Sequence, residues 1–249
     1  MVKIVLTPDW FVGFDVLIEI FSFIVLAIFC ILSIQNYRLN RNKKSFLYMG
    51  MGFGLIALAQ IATILTKIIL YYDFSVISQF GQTIVTNNIV NSVDIFYYIG
   101  FFFHRFLTLV GLYLIYRLHN KRTHLGDTIL FGYFILISAL LSTEIYYFFH
   151  LTALAILLLI TRNYYTIYKE NHFSNTKILL AAFIILGFGQ ILFIFSNGAL
   201  QATANIVELI SYILLLFLAI KIKKDGKKKK PNGNNIRYVG GNSAKRRKH

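Results

Sequence analysis

Residues 93–117 read VDIFYYIGFFFHRFLTLVGLYLIYR. A run of this length is long enough to cross the hydrocarbon core of a bilayer, which takes about 17–25 helical residues. It contains no proline that would break the helix. It does contain an adjacent histidine and arginine, His104 and Arg105, in otherwise apolar surroundings. A charge at such a depth is tolerated when it faces the interior of a helix bundle, so the sequence predicts a membrane-spanning helix packed among others.

The composition of the whole chain agrees with a membrane protein. Hydrophobic residues make up 57% of the 249 residues and charged residues 14%, against about 45–50% and about 25% in soluble domains. Prolines occur only at Pro8 and Pro231, outside every apolar run. The single cysteine, Cys30, excludes an internal disulfide framework and a cysteine-based metal site.

Seven apolar runs predict an all-α fold, a polytopic bundle of seven transmembrane helices. The predicted spans are 12–35, 46–70, 93–117, 128–143, 145–162, 177–196 and 204–222. The fourth and fifth runs are nearly continuous around Ser142-Thr143-Glu144. They must form a hairpin if the basic connections on either side of them are to lie on the same face of the membrane.

The distribution of basic residues predicts the orientation of the bundle. The connections 36–45, 117–127 and 162–177 are basic, whereas 71–92, 142–145 and 197–203 contain no lysine or arginine. Basic loops stay in the cytoplasm, so we expect the N-terminus outside and the C-terminus inside. We also expect a multi-pass protein of the cell membrane, with a transmembrane domain over residues 1–222.

Residues 223–249 form a basic tail that includes KKKK at 227–230 and KRRK at 245–248. A Gly/Asn-rich, highly charged tail is typical of disorder. We interpret it as a topology anchor that contacts anionic lipid headgroups of the bilayer. Binding of nucleic acid is the weaker interpretation, because no folded nucleic-acid module accompanies the basic run.

Segments near the two ends of the chain have similar sequences. Residues 91–99 (NSVDIFYYI) resemble residues 205–213 (NIVELISYI), and Ala59-Gln60-Ile61 parallels Gly189-Gln190-Ile191. One interpretation is a parallel 3+1+3 repeat, in which the first three helices correspond to the last three and the fourth is a linker. The other is ordinary Ile/Leu/Phe-rich helix composition.

Polar side chains within the spans fall at one level, the outer half, when depth is counted at about 1.5 Å per residue. Arg105 should therefore meet an acid of similar depth, Glu19 or Glu208. Such a pair would either fix helix register or line a pocket open to the outside. The candidate pocket residues are Asp15, Glu19, Gln60, Asp94, Tyr98, His104, Arg105, His150, Gln190 and Glu208.

His104 and His150 lie on different predicted helices and could ligate haem b, although a hydrogen-bonded interior histidine is the simpler interpretation. We expect no other cofactor and no metal. The sequence contains no HExxH or GxSxG motif, so an enzyme is the weaker hypothesis.

Glycines at 50, 52 and 54 alternate along the second predicted helix. Small residues let helix backbones approach closely where lipid supplies no hydrophobic driving force. The run, followed by Ala57 and Ala59, therefore predicts the closest helix–helix approach in the bundle.

The 3+1+3 arrangement with an external N-terminus resembles the sugar-transporting SWEET and PQ-loop family, which implies transport. Proline-free helices with short loops resemble the seven-helix input modules of membrane sensors, which implies a separate signalling or complex partner. The Ile/Lys/Asn/Tyr-rich sequence with its basic C-terminal RRKH also resembles small archaeal membrane proteins. Our leading hypothesis is a non-enzymatic receptor-like or scaffold protein that binds a small or lipid-like ligand. The alternatives are a small-solute transporter or channel and a bis-histidine haem-binding redox protein.

Overall fold

The computed structural model describes residues 8–11, 13–39, 41, 44–79, 86–118, 125–142, 144–195 and 198–228. Side chains are described at these positions except at 9, 70–79, 86–96, 198 and 225–228. All regular structure in these ranges is helical. A backbone within hydrocarbon has no water to bond, and a helix satisfies its donors and acceptors internally. The predicted all-α fold with seven helices is confirmed.

Within the described ranges, seven α-helices follow a short 3-10 helix at Asp9–Phe11. They are α1 Phe14–Leu39, α2 Lys44–Gln79, α3 Thr86–Arg117, α4 Leu125–Leu141, α5 Tyr146–Asn171, α6 Ser174–Ile194 and α7 Gly198–Lys228. Several helices are longer than the apolar runs that predicted them, because a helix can continue into polar flanking sequence. α7 continues past residue 222 to Lys228, and residues 229–249 of the predicted tail lie outside the described residues.

Six of these helices are long and apolar enough to cross a membrane. The exception, α4, has 17 residues and so is about 25 Å long, at the lower limit for a span. The predicted hairpin between the fourth and fifth helices is confirmed. α4 ends at Leu141, and the backbone N–H of Ile145 donates to the Leu141 carbonyl at 2.8 Å just before α5 begins.

The helices pack as two units of three. α1, α2 and α3 pack in chain order, as do α5, α6 and α7, and the units meet where α1 packs on α7 and α3 packs on α5. α4 contacts α3 and α5. At each of these two contacts, the first helix of one unit packs on the last helix of the other. The internal 3+1+3 repeat stays a prediction.

Glycines mediate the contacts of α2 with both of its neighbours. A Cβ atom on Gly52 would lie 2.9 Å from the Gly111 carbonyl oxygen and 2.7 Å from Ile115 Cγ1, both on α3. Gly50 and Gly54 instead face α1, where a Cβ atom on Gly54 would lie 3.1 Å from Cys30 Sγ. The glycine run therefore lies at close helix contacts, and that these are the closest in the bundle stays a prediction. The sequence did not single out Gly100, at which a Cβ atom would overlap the Thr66 hydroxyl.

The two halves of the bundle differ in their interiors. One half has an apolar core, formed by residues such as Leu26, Phe29, Phe53, Leu112, Ile115, Leu157, Ile160 and Leu218. Many large apolar side chains point outward, including Leu17, Ile24, Leu58, Phe103, Leu158, Phe188 and Phe217. An outward apolar surface of this kind suits contact with lipid. The polar side chains described next occupy the interior of the other half.

Candidate functional site

The first polar group is an ion-pair cluster between α1 and α2, which we call the Lys67 cluster. Lys67 Nζ lies 2.7 Å from Asp15 Oδ2 and also donates to Glu19 Oε1. Asp15 and Glu19 lie one turn apart on α1, so one lysine reaches both carboxylates. Asp15 is 1% exposed, and it also accepts a hydrogen bond from the Gly13 backbone N–H. The cluster therefore holds two carboxylates and one ammonium group.

The second group is a hydrogen-bonded chain through three helices, which we call the Gln190 chain. His150 Nδ1 on α5 lies 2.8 Å from Gln190 Oε1 on α6, and Gln190 Nε2 lies 3.0 Å from Glu208 Oε1 on α7. The amide oxygen can only accept, so His150 carries its proton on Nδ1. The Gln190 amide thus joins an imidazole to a carboxylate and satisfies both.

Aromatic rings surround the imidazole of His150. Its ring stacks on Phe193 with centroids 4.8 Å apart, and it contacts Tyr146 at 4.8 Å and Phe149 at 4.9 Å. His104 on α3 packs on the same Phe149 ring at 5.8 Å. Phe149 therefore lies against both histidines, which come from different three-helix units.

The imidazole of His104 is anchored to a helix backbone. His104 Nδ1 lies 3.2 Å from the Ala59 carbonyl oxygen of α2, which also accepts from the Thr63 hydroxyl at 3.3 Å. The neighbouring residue on α2, Gln60, is 7% exposed. Its side chain is in polar contact with the Tyr212 hydroxyl of α7. These contacts bring α2, α3 and α7 to the same level as the two polar groups above.

Arg105 is 5% exposed and lies in the interior, as predicted, but not with the predicted partner. In the part of the chain that the structure describes, the ion pairs are those of Lys67, and Arg105 makes neither an ion pair nor a hydrogen bond. Its guanidinium carbon lies 5.7 Å from the centre of the Phe101 ring. The prediction that Arg105 pairs with Glu19 or Glu208 is therefore wrong, because Lys67 binds the first acid and Gln190 the second.

Most of the candidate pocket residues come together at this level. Tyr98 is 37% exposed, and it is Tyr97 that interacts electrostatically with Arg105. The side chain of Asp94 lies outside the described residues. Sequence reasoning left Lys67, Tyr97, Tyr146 and Tyr212 out of the candidate set. Lys67 did carry a signal, because a lysine within a span requires an acidic partner and two acids one turn apart occur on α1.

The site offers carboxylate, ammonium, guanidinium, amide, imidazole and phenol groups within one level of the bundle. Among the described residues, no group of three or more His, Cys, Asp or Glu side chains is placed to hold a metal ion. Two polar atoms here or nearby, Glu19 Oε2 and Gln201 Oε1, are buried without a hydrogen-bond partner in the described part of the chain. The arrangement suits polar recognition and charge pairing.

Comparisons with known proteins add no family to this description. No protein-family model, curated protein or solved structure matches the chain.

Proposed function

We propose that this integral membrane protein is a receptor-like or scaffold protein that binds a small or lipid-like ligand in the polar half of its bundle. One observation carries the proposal: buried polar side chains from both three-helix units meet at one level. Those that are at most 7% exposed include Asp15, Gln60, Arg105, His150 and Gln190. Ligand pockets of helical proteins form between helices, with a few convergent polar groups.

Burying these polar groups costs free energy, and this cost favours a ligand-binding site over a purely structural network. Fixing the register of helices takes one or two buried polar pairs, whereas this bundle buries the Lys67 cluster, the Gln190 chain and Arg105. The charges are also unbalanced. Three carboxylates, of Asp15, Glu19 and Glu208, accompany two basic side chains, of Lys67 and Arg105. A network selected only for stability would be expected to satisfy and balance its members.

Native mass spectrometry of the protein in mild detergent tests the proposal. We expect the parent protein to retain a bound small molecule or lipid as a discrete mass adduct. The double variant Gln60→Leu/Gln190→Leu should lose that adduct, because it removes two convergent amides from the polar half. Thr166→Ala, near the opposite end of α5, is the matched control and should retain it. A parent protein found only at its apo mass, with no stabilisation by a panel of lipids, would contradict the proposal.

The orientation and the partners belong to the same proposal. The polar half faces outside, and the basic helix ends, including Arg38, Arg117, Lys177 and Lys221, face the cytoplasm. The basic tail binds anionic lipid headgroups. The receptor-like role would pass its signal to a separate partner protein.

Transport of a small solute is the second candidate, and the two-unit packing favours it. Transporters built from repeats hold their substrate where the two repeats meet, and here Gln60 of one unit contacts Tyr212 of the other. Uptake of radiolabelled sugars and amino acids into proteoliposomes separates the two candidates. Saturable uptake that Gln190→Leu abolishes would favour transport, and binding without uptake would favour a receptor.

Binding of haem b by His104 and His150 is the third candidate. Both imidazoles are anchored through Nδ1, which leaves Nε2 as the nitrogen available to a ligand. An absorbance spectrum of the purified protein tests this candidate directly. A Soret band that disappears in His150→Leu would support haem binding. A protein that stays colourless after incubation with haemin and removal of the excess would exclude it.

A further inference from the structure

The guanidinium of Arg105 stands apart from the other charges of the polar half. Its side chain is 5% exposed. The Phe101 ring lies under it, at 5.7 Å from the guanidinium carbon to the ring centre. Within the described ranges, no carboxylate pairs with it. Arg105 is thus a buried cation, and its five N–H donors have no protein acceptor in the described part of the chain.

The nearby acids are engaged elsewhere. Glu19 Oε1 accepts from Lys67, and Glu208 Oε1 accepts from the Gln190 amide. A buried charge without a partner costs free energy, and that cost is usually offset by pairing, by water or by a ligand. Removal of such a charge should therefore stabilise the empty protein. A lysine or arginine that only fixes register behaves in the opposite way, because its removal leaves a partner unpaired.

We infer that Arg105 anchors one oxyanion group, a carboxylate or a phosphate, of a small or amphiphilic ligand. The inference rests on the proposed ligand-binding function and specifies the chemistry of the ligand. A guanidinium binds carboxylate and phosphate through two parallel N–H···O bonds. The low-dielectric surroundings strengthen such a charge-assisted pair. Because the Phe101 ring lies against one face of the guanidinium, the anion would bind along the N–H edge of the guanidinium.

The surroundings of Arg105 fit an anion that carries an apolar portion. The hydroxyls of Tyr97 on α3 and Tyr146 on α5 interact electrostatically with Arg105, and a phenol can donate a further hydrogen bond to an oxyanion. Tyr146 also interacts with Lys67 and Glu208. Lys67 adds positive potential and Glu208 opposes it. Phe101 and Phe102, with Phe106 stacked on Phe102 at 5.9 Å, supply apolar surface on α3 for a chain or ring.

Binding of defined probes to the purified full-length protein tests the inference. The probes are oleate, oleyl alcohol, oleoyl lysophosphatidate and inorganic phosphate, titrated in detergent with fluorescence or thermal shift as readout. We expect an oxyanion probe to bind the parent and to bind Arg105→Gln about tenfold to hundredfold more weakly. Oleyl alcohol should bind both proteins equally weakly. Arg162→Gln, on the opposite half of α5, is the matched control and should bind like the parent.

Each outcome separates one source of the anion from another or rejects the idea. Binding of oleate alone assigns a carboxylate amphiphile, binding of lysophosphatidate alone assigns a lipid phosphate, and binding of inorganic phosphate assigns a free anion. Equal affinity of the parent and Arg105→Gln for every anionic probe would overturn the inference. If, in that case, both proteins bind an uncharged lipid with equal affinity, the proposed ligand-binding function stands and only the inference about Arg105 fails. If neither binds any probe, both proposals fail.

Stability without ligand gives a second and independent readout. Arg105→Met keeps an unbranched side chain about as long as the aliphatic stem of arginine and removes the guanidinium. We expect this variant to unfold at the same temperature as the parent or at a higher one, because no described acid loses a partner. A large fall in unfolding temperature would assign Arg105 a structural role and overturn the inference.

Discussion

Lys67 Nζ on α2 lies 2.7 Å from Asp15 Oδ2 on α1, and the side chains are 15% and 0% exposed. The lysine also neutralises Glu19 one turn further along α1. Two carboxylates on one helix thus share the ammonium group of a lysine on the neighbouring helix. This pairing restricts the rotation of α1 against α2 in the polar half of the bundle.

Replacement of Lys67 should destabilise the protein strongly. Lys67→Met leaves two carboxylates buried without their cation, and breaking a buried pair costs about 3–5 kcal/mol. Thermal unfolding of the detergent-solubilised protein measures the change. The triple variant Asp15→Asn/Glu19→Gln/Lys67→Met should recover much of the loss, because no charge is then left unpaired. Lys177→Met, at an exposed position on α6, is the control. Equal stability of Lys67→Met and the control would contradict the ion-pair geometry.

Interruption of the Gln190 chain should destabilise the second three-helix unit. Gln190→Leu leaves the His150 N–H and the Glu208 carboxylate without a partner, at about 1–3 kcal/mol for each group. Gln201 is the matched glutamine, because its side-chain oxygen has no partner among the described residues. Gln201→Leu should therefore be neutral or stabilising. Chemical unfolding measures both variants, and a reversed order of stability would show that the amide of Gln190 is not the link.

Substitution of glycine on α2 should act according to the neighbour it faces. Gly52→Ala drives a methyl group against the Gly111 carbonyl on α3, and such overpacking costs about 1–3 kcal/mol. Gly54→Ala should cost less, because the Cys30 side chain can turn away. Gly132→Ala on α4 meets no atom within 4 Å and should be neutral or slightly stabilising. Melting temperatures that do not follow this order would place the α2–α3 contact elsewhere.

Labelling of single cysteines should report the orientation of the bundle. In a Cys30→Ser background, Glu144→Cys lies in the α4–α5 turn and Lys224→Cys near the end of α7, both exposed. Because basic ends stay in the cytoplasm, an impermeant maleimide should label Glu144→Cys in intact cells. It should label Lys224→Cys only after the cells are permeabilised. The opposite pattern would invert the proposed topology.

The linear order of residues was enough to predict the helices. Apolar runs such as 177–196 fixed the number of helices, because a chain in hydrocarbon must satisfy its backbone within each helix. The basic connections on either side of residues 128–162 predicted the hairpin between α4 and α5. Counting residues also placed Gln60, His150 and Gln190 at one level, because the rise per residue of a helix is constant.

Tertiary structure alone decided which polar groups meet. Depth along a helix says nothing about its rotation or its neighbours, so Arg105 and Lys67 were both suitable partners for Glu19. Among the described residues, α1 packs closely on α2, which brings Glu19 to Lys67 and leaves Arg105 among aromatic rings. Tyr98 is 37% exposed, whereas Tyr97 interacts electrostatically with Arg105, because the neighbouring helices that cover a residue decide its exposure and the linear order of residues does not show which helices those are.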